Sequence, residues 1–173
     1  MINFVKFDDS KHKQHFIDLN IEFLSWIVEE TKQRYNIDIP SSIGITAREY
    51  VEGSYDDYTK SFEKDGIFYL LEIDDIIVGM GGLRRLDKDS CEIKRMYIRP
   101  SYRGSGFGKL LFYKLIEYGK NLGYSVVRLE SSKFMTTAHH IYRSNGFKEC
   151  EQFPGAETPE VTKAYSIYME KRL

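Results

Sequence analysis

The sequence predicts one domain of mixed α/β class, an α+β mixed sheet with helices on both faces. Two observations lead to this prediction. A helical pattern fills most of the first 64 residues, and strands then alternate with helices until two strands close the chain. A length of 173 residues suffices for one well-buried core and is short for two, so residues 1–173 are assigned to a single domain.

The chain is predicted to begin with a short strand, 2–7, and a long helix, 11–35. Asp8, Asp9 and Ser10 supply capping residues ahead of the helix. Apolar side chains then recur at three- and four-residue steps, which gives the helix one apolar face.

A loop, 36–45, is predicted next because a proline and a glycine interrupt the helical pattern. Thr46, with Glu49 three residues later, predicts a capping box for a second helical stretch. This stretch covers 47–64 and is expected to be interrupted near Gly53.

The remaining sequence predicts six strands and two helices, since β-branched and aromatic runs alternate with glycine-bounded turns. The predicted strands are 67–72, 76–84, 91–98, 125–130, 147–152 and 164–171. The predicted helices are 109–122 and 135–145, the second of them ended by Gly146.

Composition excludes several classes of partner. The net charge is −1, with 25 basic and 26 acidic residues, so neither a nucleic acid nor a membrane is expected. No apolar run approaches the ~20 residues of a spanning helix, and no secretory signal opens the chain. Cys91 and Cys150 are expected to be buried free thiols, which fits a reducing cytoplasm. The histidine pairs have no ligand cluster around them, so no metal site is predicted.

The segment from Arg103 to Lys109, with glycines at every second position between them, predicts a phosphate cradle. Glycine lets the backbone approach a bulky anion, and the helix that follows directs its unpaired N–H groups and positive dipole end into the loop. A nucleotide P-loop is excluded because Arg103 and Leu110 stand where glycine and a magnesium-binding hydroxyl are needed. This also counts against a phosphotransferase. The G-x-G-x-G spacing and its position in mid-chain do not fit a dinucleotide fingerprint either.

Three blocks in this order resemble the GNAT superfamily of N-acetyltransferases. The glycine loop is similar to its R-x-x-G-x-G/A loop, which grips the pyrophosphate of acetyl-CoA. The strand before it, 92–100, resembles the fourth strand of that superfamily, and residues 138–147 resemble its A-x-x-x-Y-x-x-x-G-F signature. Together the blocks cover roughly residues 67 to 152.

The resemblance implies a twisted, mainly antiparallel sheet with a splay between the fourth and fifth strands. It also implies that acetyl-CoA is the co-substrate and that its acetyl group passes directly to a primary amine. Neither cysteine lies in an electropositive loop that would activate a nucleophile, which favours direct transfer over an acyl-enzyme. The alternative is a non-catalytic acyl-CoA-binding regulatory module on the same scaffold.

The resemblance also assigns site residues. Tyr142 is expected to protonate the departing coenzyme sulfur, and Glu92, Glu130 or water to accept the proton of the amine. Coenzyme binding is expected at Met96, Tyr97, Ile98, Arg103, Gly104, Ser105, Gly106, Phe107, Gly108, Lys109 and Tyr142. Main-chain hydrogen bonds from 96–98 would hold the pantetheine and supply an oxyanion donor, while Arg103 would support the loop from its edge. Met135 stands where many relatives carry a coenzyme-binding asparagine.

The acceptor stays open: it is a small-molecule or peptide amine whose determinants are expected in residues 36–66 and 153–163. A homodimer is possible, because members of the superfamily often dimerise.

Overall fold

Seven strands form one mixed sheet in the computed structural model, which describes residues 1–173. In chain order the strands are β1 (Ile2–Lys6), β2 (Ile67–Ile73), β3 (Ile76–Arg85), β4 (Ser90–Ile98), β5 (Val126–Ser132), β6 (Lys148–Cys150) and β7 (Ser166–Arg172). Their order across the sheet is β1-β2-β3-β4-β5-β7-β6. All neighbours are antiparallel except β4 and β5, which are parallel. The predicted fold class is confirmed.

Six helices cover the two faces of this sheet. They are α1 (Asp9–Tyr35), α2 (Ile39–Ile43), α3 (Ala47–Gly53), α4 (Tyr55–Lys60), α5 (Phe107–Asn121) and α6 (Thr136–Ser144). One core joins α1 and α4 to the sheet, and a second core joins α5 and α6 to it. Alternate residues of β2 belong to different cores, as expected for a strand buried on both faces. No helix is both long and apolar enough to span a membrane.

The predicted loop at 36–45 is wrong in part, because α2 lies within it. The Asp38 side chain caps this helix by accepting a hydrogen bond from the Ser41 N–H at 3.1 Å. Pro40 falls in the first turn, where its missing N–H costs no intrahelical bond, so the proline favours a helix start and not a break. The capping box at Thr46 and the interruption after Gly53 are confirmed.

Both cysteines are free, as predicted, but only Cys91 is buried. Cys150 lies on β6, the short strand at the edge of the sheet, and is half-buried. Its edge position leaves one side of the strand without a covering neighbour.

The fold opens a gap between β4 and β5. The two strands pair only from Ser90 to Glu92 with Val126 to Arg128. Beyond these residues β4 stays paired to β3 and β5 stays paired to β7, so the two strands separate. A bulge also interrupts the β3–β4 register, and Arg95 in it has φ +56°. The predicted splay is confirmed.

Candidate active site

The loop between β4 and α5 depends on glycine for its backbone conformation. Gly104 and Gly106 both have φ +83°, a region that side-chain-bearing residues rarely adopt. A Cβ atom at either position would meet no other atom within 4 Å. The two glycines are therefore needed because the backbone has a positive φ, and not because a side chain would clash. They turn the exposed chain so that it enters α5 at Phe107.

Six consecutive N–H groups of this loop have no acceptor within the protein. The first N–H of α5 that finds one belongs to Leu110, 3.1 Å from the Gly106 carbonyl oxygen. We name residues 104–109 the coenzyme loop, after the ligand that the sequence predicts for them. Their N–H groups form no hydrogen bond to backbone or side chain, and no side chain caps the helix. With the positive end of the α5 dipole behind them, they can bind an anion the size of a pyrophosphate.

Arg103 folds back against the start of the coenzyme loop. Its Nε donates to the Ile98 carbonyl oxygen at 2.8 Å. Its guanidinium lies 4.7 Å from the Trp26 ring centre and 5.3 Å from that of Tyr97. These contacts fix the exit of β4 relative to α1. Lys109, at the other end, is exposed and lies 5.6 Å from the Tyr113 ring.

The segment of β4 leading to the loop has a free edge facing β5. Tyr97 and Ile98 pair with Met80 and Gly79 of β3, but no residue beyond Glu92 pairs with β5. This edge can accept an extended ligand as an added strand. The Tyr97 ring is buried next to Phe23, 5.6 Å between ring centres, and the Met96 side chain is half-buried.

Tyr142 lies on α6 within the core that joins α5 and α6 to the sheet. It is 7% exposed, and its ring centre lies 5.7 Å from that of Phe112 and 5.9 Å from that of Phe147. Burial raises the pKa of Tyr142 to about 12, so the hydroxyl keeps its proton at neutral pH.

Glu92 is completely buried and is the last residue of β4 that pairs with β5. One of its oxygens, Oε2, accepts from Arg84 at 2.7 Å, and the other, Oε1, has no hydrogen-bond donor. Burial raises the pKa of Glu92 to about 7, against the opposing effect of Lys94 and Arg84. The carboxyl group therefore changes its charge near neutral pH.

Glu130 lies across the splay from Lys94 and accepts hydrogen bonds from three groups. The Lys94 ammonium is 3.2 Å away, the Thr158 hydroxyl is 2.5 Å away, and the Glu157 backbone N–H is 3.2 Å away. Lys94 thereby joins β4 to β5 directly beyond the last paired residues. Of the two predicted glutamates, Glu130 faces the open part of the splay and Glu92 does not.

Sequence reasoning missed Glu157 and the two cations that surround it. Its carboxylate lies 2.5 Å from the Lys94 ammonium and 2.8 Å from the Arg84 guanidinium. Burial would raise the pKa of Glu157, but Lys94 and then Arg84 outweigh it and lower the pKa. The only signal was its place in the loop 153–163, since no motif marks it. The carboxylates and cations alternate, and no group of acidic or histidine side chains is arranged to hold a metal ion.

A cavity of about 270 Å³ opens at the splay beside α1, and we name it the acceptor cavity after the amine that we propose it binds. Apolar residues of α1 and α2 line one wall, and charged residues of β4, β5 and the loop before β7 line the other. The apolar lining includes Phe23, Leu24, Ile27, Val28, Ile39, Pro40, Ile43 and Ile45. The charged lining is Lys94, Arg95, Glu130 and Glu157. Neither the coenzyme loop nor Tyr142 lines it, so the loop and the cavity lie apart.

The model of the acetyltransferase (GNAT) family matches residues 23–147, more than two thirds of the chain. The matched range contains the splay, the coenzyme loop and Tyr142. The chain therefore belongs to the GNAT family of acetyltransferases.

Particular relatives agree with this assignment. An uncharacterized N-acetyltransferase of Schizosaccharomyces pombe is 39% identical over 71 residues, which are 41% of this chain and 44% of the relative. The chain spans about half the length of the curated relatives it matches.

Solved structures share the fold. A GNAT-family acetyltransferase of Staphylococcus aureus has a TM-score of 0.73 at 22% identity and covers 99% of both chains. The PaiA N-acetyltransferase of Thermoplasma acidophilum, solved in complex with coenzyme A, has a TM-score of 0.69 at 18% identity, covering 100% of this chain and 99% of that one.

Proposed function

We propose that the protein transfers the acetyl group of acetyl-CoA directly to a primary amine. The observation that carries this proposal is the run of six unpaired N–H groups at 104–109, beside the free edge of β4. Membership of the GNAT family supports it. The coenzyme loop would hold the pyrophosphate through these N–H groups, and the 96–98 edge would hold the pantetheine by main-chain hydrogen bonds. A backbone N–H of that edge would then stabilise the oxyanion of the tetrahedral intermediate.

Acetyl transfer needs a proton acceptor, because an alkylammonium with a pKa near ~10 cannot attack a thioester. Glu92 has the properties of this acceptor: a pKa of about 7 and one oxygen without a donor. It does not line the acceptor cavity, so the proton would reach it through water. Glu130 already accepts from Lys94 and Thr158 and would hold the two strands and the loop in place.

The leaving thiolate needs a proton donor, and Tyr142 would supply it. It occupies the tyrosine position of the family signature, and its raised pKa keeps the hydroxyl protonated. The proton would move from this hydroxyl to the coenzyme sulfur as the carbon–sulfur bond breaks. An acyl-enzyme is disfavoured, because burial raises the pKa of Cys91 to about 12 and neither cysteine lines the cavity.

A panel of free amines and short peptides tests the proposal, with thiol release from acetyl-CoA as the measurement. We expect release that depends on both the amine and the protein, together with one acetylated product by mass. Tight acetyl-CoA binding by calorimetry without turnover of any amine would contradict it and support the non-catalytic acyl-CoA-binding module.

A further inference from the structure

We propose that the acceptor is an α-amino acid with an apolar side chain, and that Arg95 binds its carboxylate. This inference rests on the proposed acetyl transfer and names the substrate class of the same site. Three observations carry it: the apolar wall of the acceptor cavity, the absence of an ion pair at Arg95 on the opposite wall, and the way in which Arg95 is held.

The apolar wall defines what kind of side chain the acceptor carries. Residues of α1 and α2 face the cavity with aliphatic side chains, among them Leu24, Ile27 and Ile43. An apolar side chain packed against such a wall is removed from water, which favours binding. A volume of about 270 Å³ lies near the ~300 Å³ lower end of small-molecule sites, so the cavity fits a single amino acid better than a long chain. A polyamine would leave this wall without a partner.

The two cations on the opposite wall differ in their pairing. Lys94 contacts the carboxylates of Glu130 and Glu157, so its charge is neutralised within the protein. Arg95 also lines the cavity but forms no ion pair. A partly buried guanidinium without an anion is costly, and a bound carboxylate would remove that cost.

Arg95 is held ready to bind an anion. Its Nη1 donates to the Asn20 side-chain oxygen at 3.0 Å, and its guanidinium lies 4.5 Å from the Tyr58 ring centre. Asn20 is itself buried and fixed, because its Nδ2 donates to the Phe16 carbonyl oxygen at 2.8 Å. Arg95 makes no other hydrogen bond within the protein, so most of its five N–H donors stay available. This fixed planar group suits bidentate binding of a carboxylate.

The cavity can receive both ends of a zwitterion. Arg95 offers the positive group, and Glu130 of β5 and Glu157 of the loop before β7 offer carboxylates to the same cavity. A free α-amine lies on the carbon next to the carboxylate, so Arg95 would direct that amine toward the splay, where the thioester is expected.

The test compares amino acids with the same molecules lacking the carboxylate. Leucine is paired with isopentylamine, and phenylalanine with phenethylamine, each in saturating acetyl-CoA. We expect kcat/KM to be at least tenfold higher for the amino acid of each pair. In Arg95→Gln this ratio should fall close to one. The matched control is Arg128→Gln, an arginine on β5 that pairs with Glu170 and lies outside the cavity; it should keep the wild-type ratio.

Each outcome has a definite meaning. Equal or better turnover of the decarboxylated amines by the wild type overturns the inference and leaves acetyl transfer intact. A ratio that Arg95→Gln does not change overturns the role of Arg95. Absence of turnover with every amine overturns both proposals. If Arg95→Gln does not fold, Arg95→Lys replaces it, and the binding of leucine to the complex of the protein with coenzyme A is measured by calorimetry. The lysine variant should bind leucine at least tenfold more weakly than the wild type does. Unchanged binding contradicts the proposal.

Discussion

The coenzyme loop and the acceptor cavity share no residue and are built in opposite ways. The loop is one continuous, exposed segment that presents backbone N–H groups, so what matters is its conformation. The cavity is assembled from side chains between residues 23 and 166 of the sequence, so what matters is which residues meet. Backbone groups are common to all residues, whereas side chains differ. A loop that binds through its backbone can therefore stay constant in a family while a cavity built from side chains varies.

The largest expected effect comes from changing the loop conformation. In Gly104→Val/Gly106→Val two β-branched residues would have to adopt φ +83°, which costs about 1–2 kcal/mol each and displaces the N–H groups. We expect coenzyme A to bind at least ~100-fold more weakly, measured by calorimetry, because several charge-assisted hydrogen bonds of ~1.5–3 kcal/mol would be lost.

Gly123→Val is the matched control for this pair. Gly123 has φ +82° and open space around its Cβ position, but it lies beyond the other end of α5. The Gly123→Val variant should lose a similar free energy of unfolding per substitution, and it should bind coenzyme A as tightly as the wild type does. Equal weakening in the control would mean that strain alone explains the effect.

Tyr142→Phe should lower kcat by about 100-fold, the lower end for general acid catalysis, since a thiolate leaves readily. The KM for acetyl-CoA should change little. The melting temperature should change little, because phenylalanine keeps the ring and its contacts with Phe112 and Phe147. Steady-state kinetics and thermal melting check this.

Tyr168→Phe provides the comparison, since Tyr168 on β7 is also buried, and its hydroxyl has no hydrogen-bond partner. If both variants lose the same activity, or if Tyr142→Phe keeps the wild-type kcat, the role of Tyr142 as acid is wrong.

The two glutamates should separate in their pH profiles. Wild-type kcat/KM is expected to rise with pH through an inflection near 7, the pKa of Glu92. Glu92→Gln should remove that inflection and lower kcat/KM roughly tenfold or more. Glu130→Gln should keep the inflection while it weakens the Lys94 contact across the splay. If Glu130→Gln removes the inflection and Glu92→Gln keeps it, Glu130 is the base.

A smaller effect concerns stability. The pKa of Glu92 is raised from its ordinary 4.5 to about 7, so the folded state binds more protons than the unfolded state between these values. The stability that comes from protonated Glu92 is therefore present below about pH 4.5 and is lost as the pH rises through 7. Denaturant unfolding from pH 5 to 8 should show this loss in the wild type, and Glu92→Gln should show a flatter dependence. A wild-type stability that rises through neutral pH would contradict the assigned pKa.

The same contrast explains how much the sequence could predict. The coenzyme loop lies in consecutive residues, so its glycine spacing predicted both the turn into α5 and the anion cradle. Arg95 and Asn20, in contrast, stand 75 positions apart and become partners only when α1 packs on β4. No periodicity marks such a pair.

The short helix α2 was missed for a related reason. In the sequence Pro40 indicates a break in the helical pattern, but in the structure the Asp38 cap makes it part of a helix start. The helix α2 supplies part of the apolar wall and lies within the range 36–66 where the sequence predicts determinants of the acceptor, but the sequence does not show that these residues form a wall. Glu157 was hidden in the same way, because only the folded loop brings it to Lys94 and Arg84.

Backbone amide shift mapping by NMR tests the central claim most directly, that acetyl-CoA binds at the coenzyme loop and the edge of β4 while the acceptor binds in the cavity. Coenzyme A titrated into the labelled protein should shift the amides of 104–109 and 96–98 most strongly, with saturation at one equivalent. Residues 24–28 and 39–47 of the acceptor cavity should respond mainly when leucine is added afterwards. Coenzyme A shifts centred on the cavity, with the loop unaffected, would contradict the account.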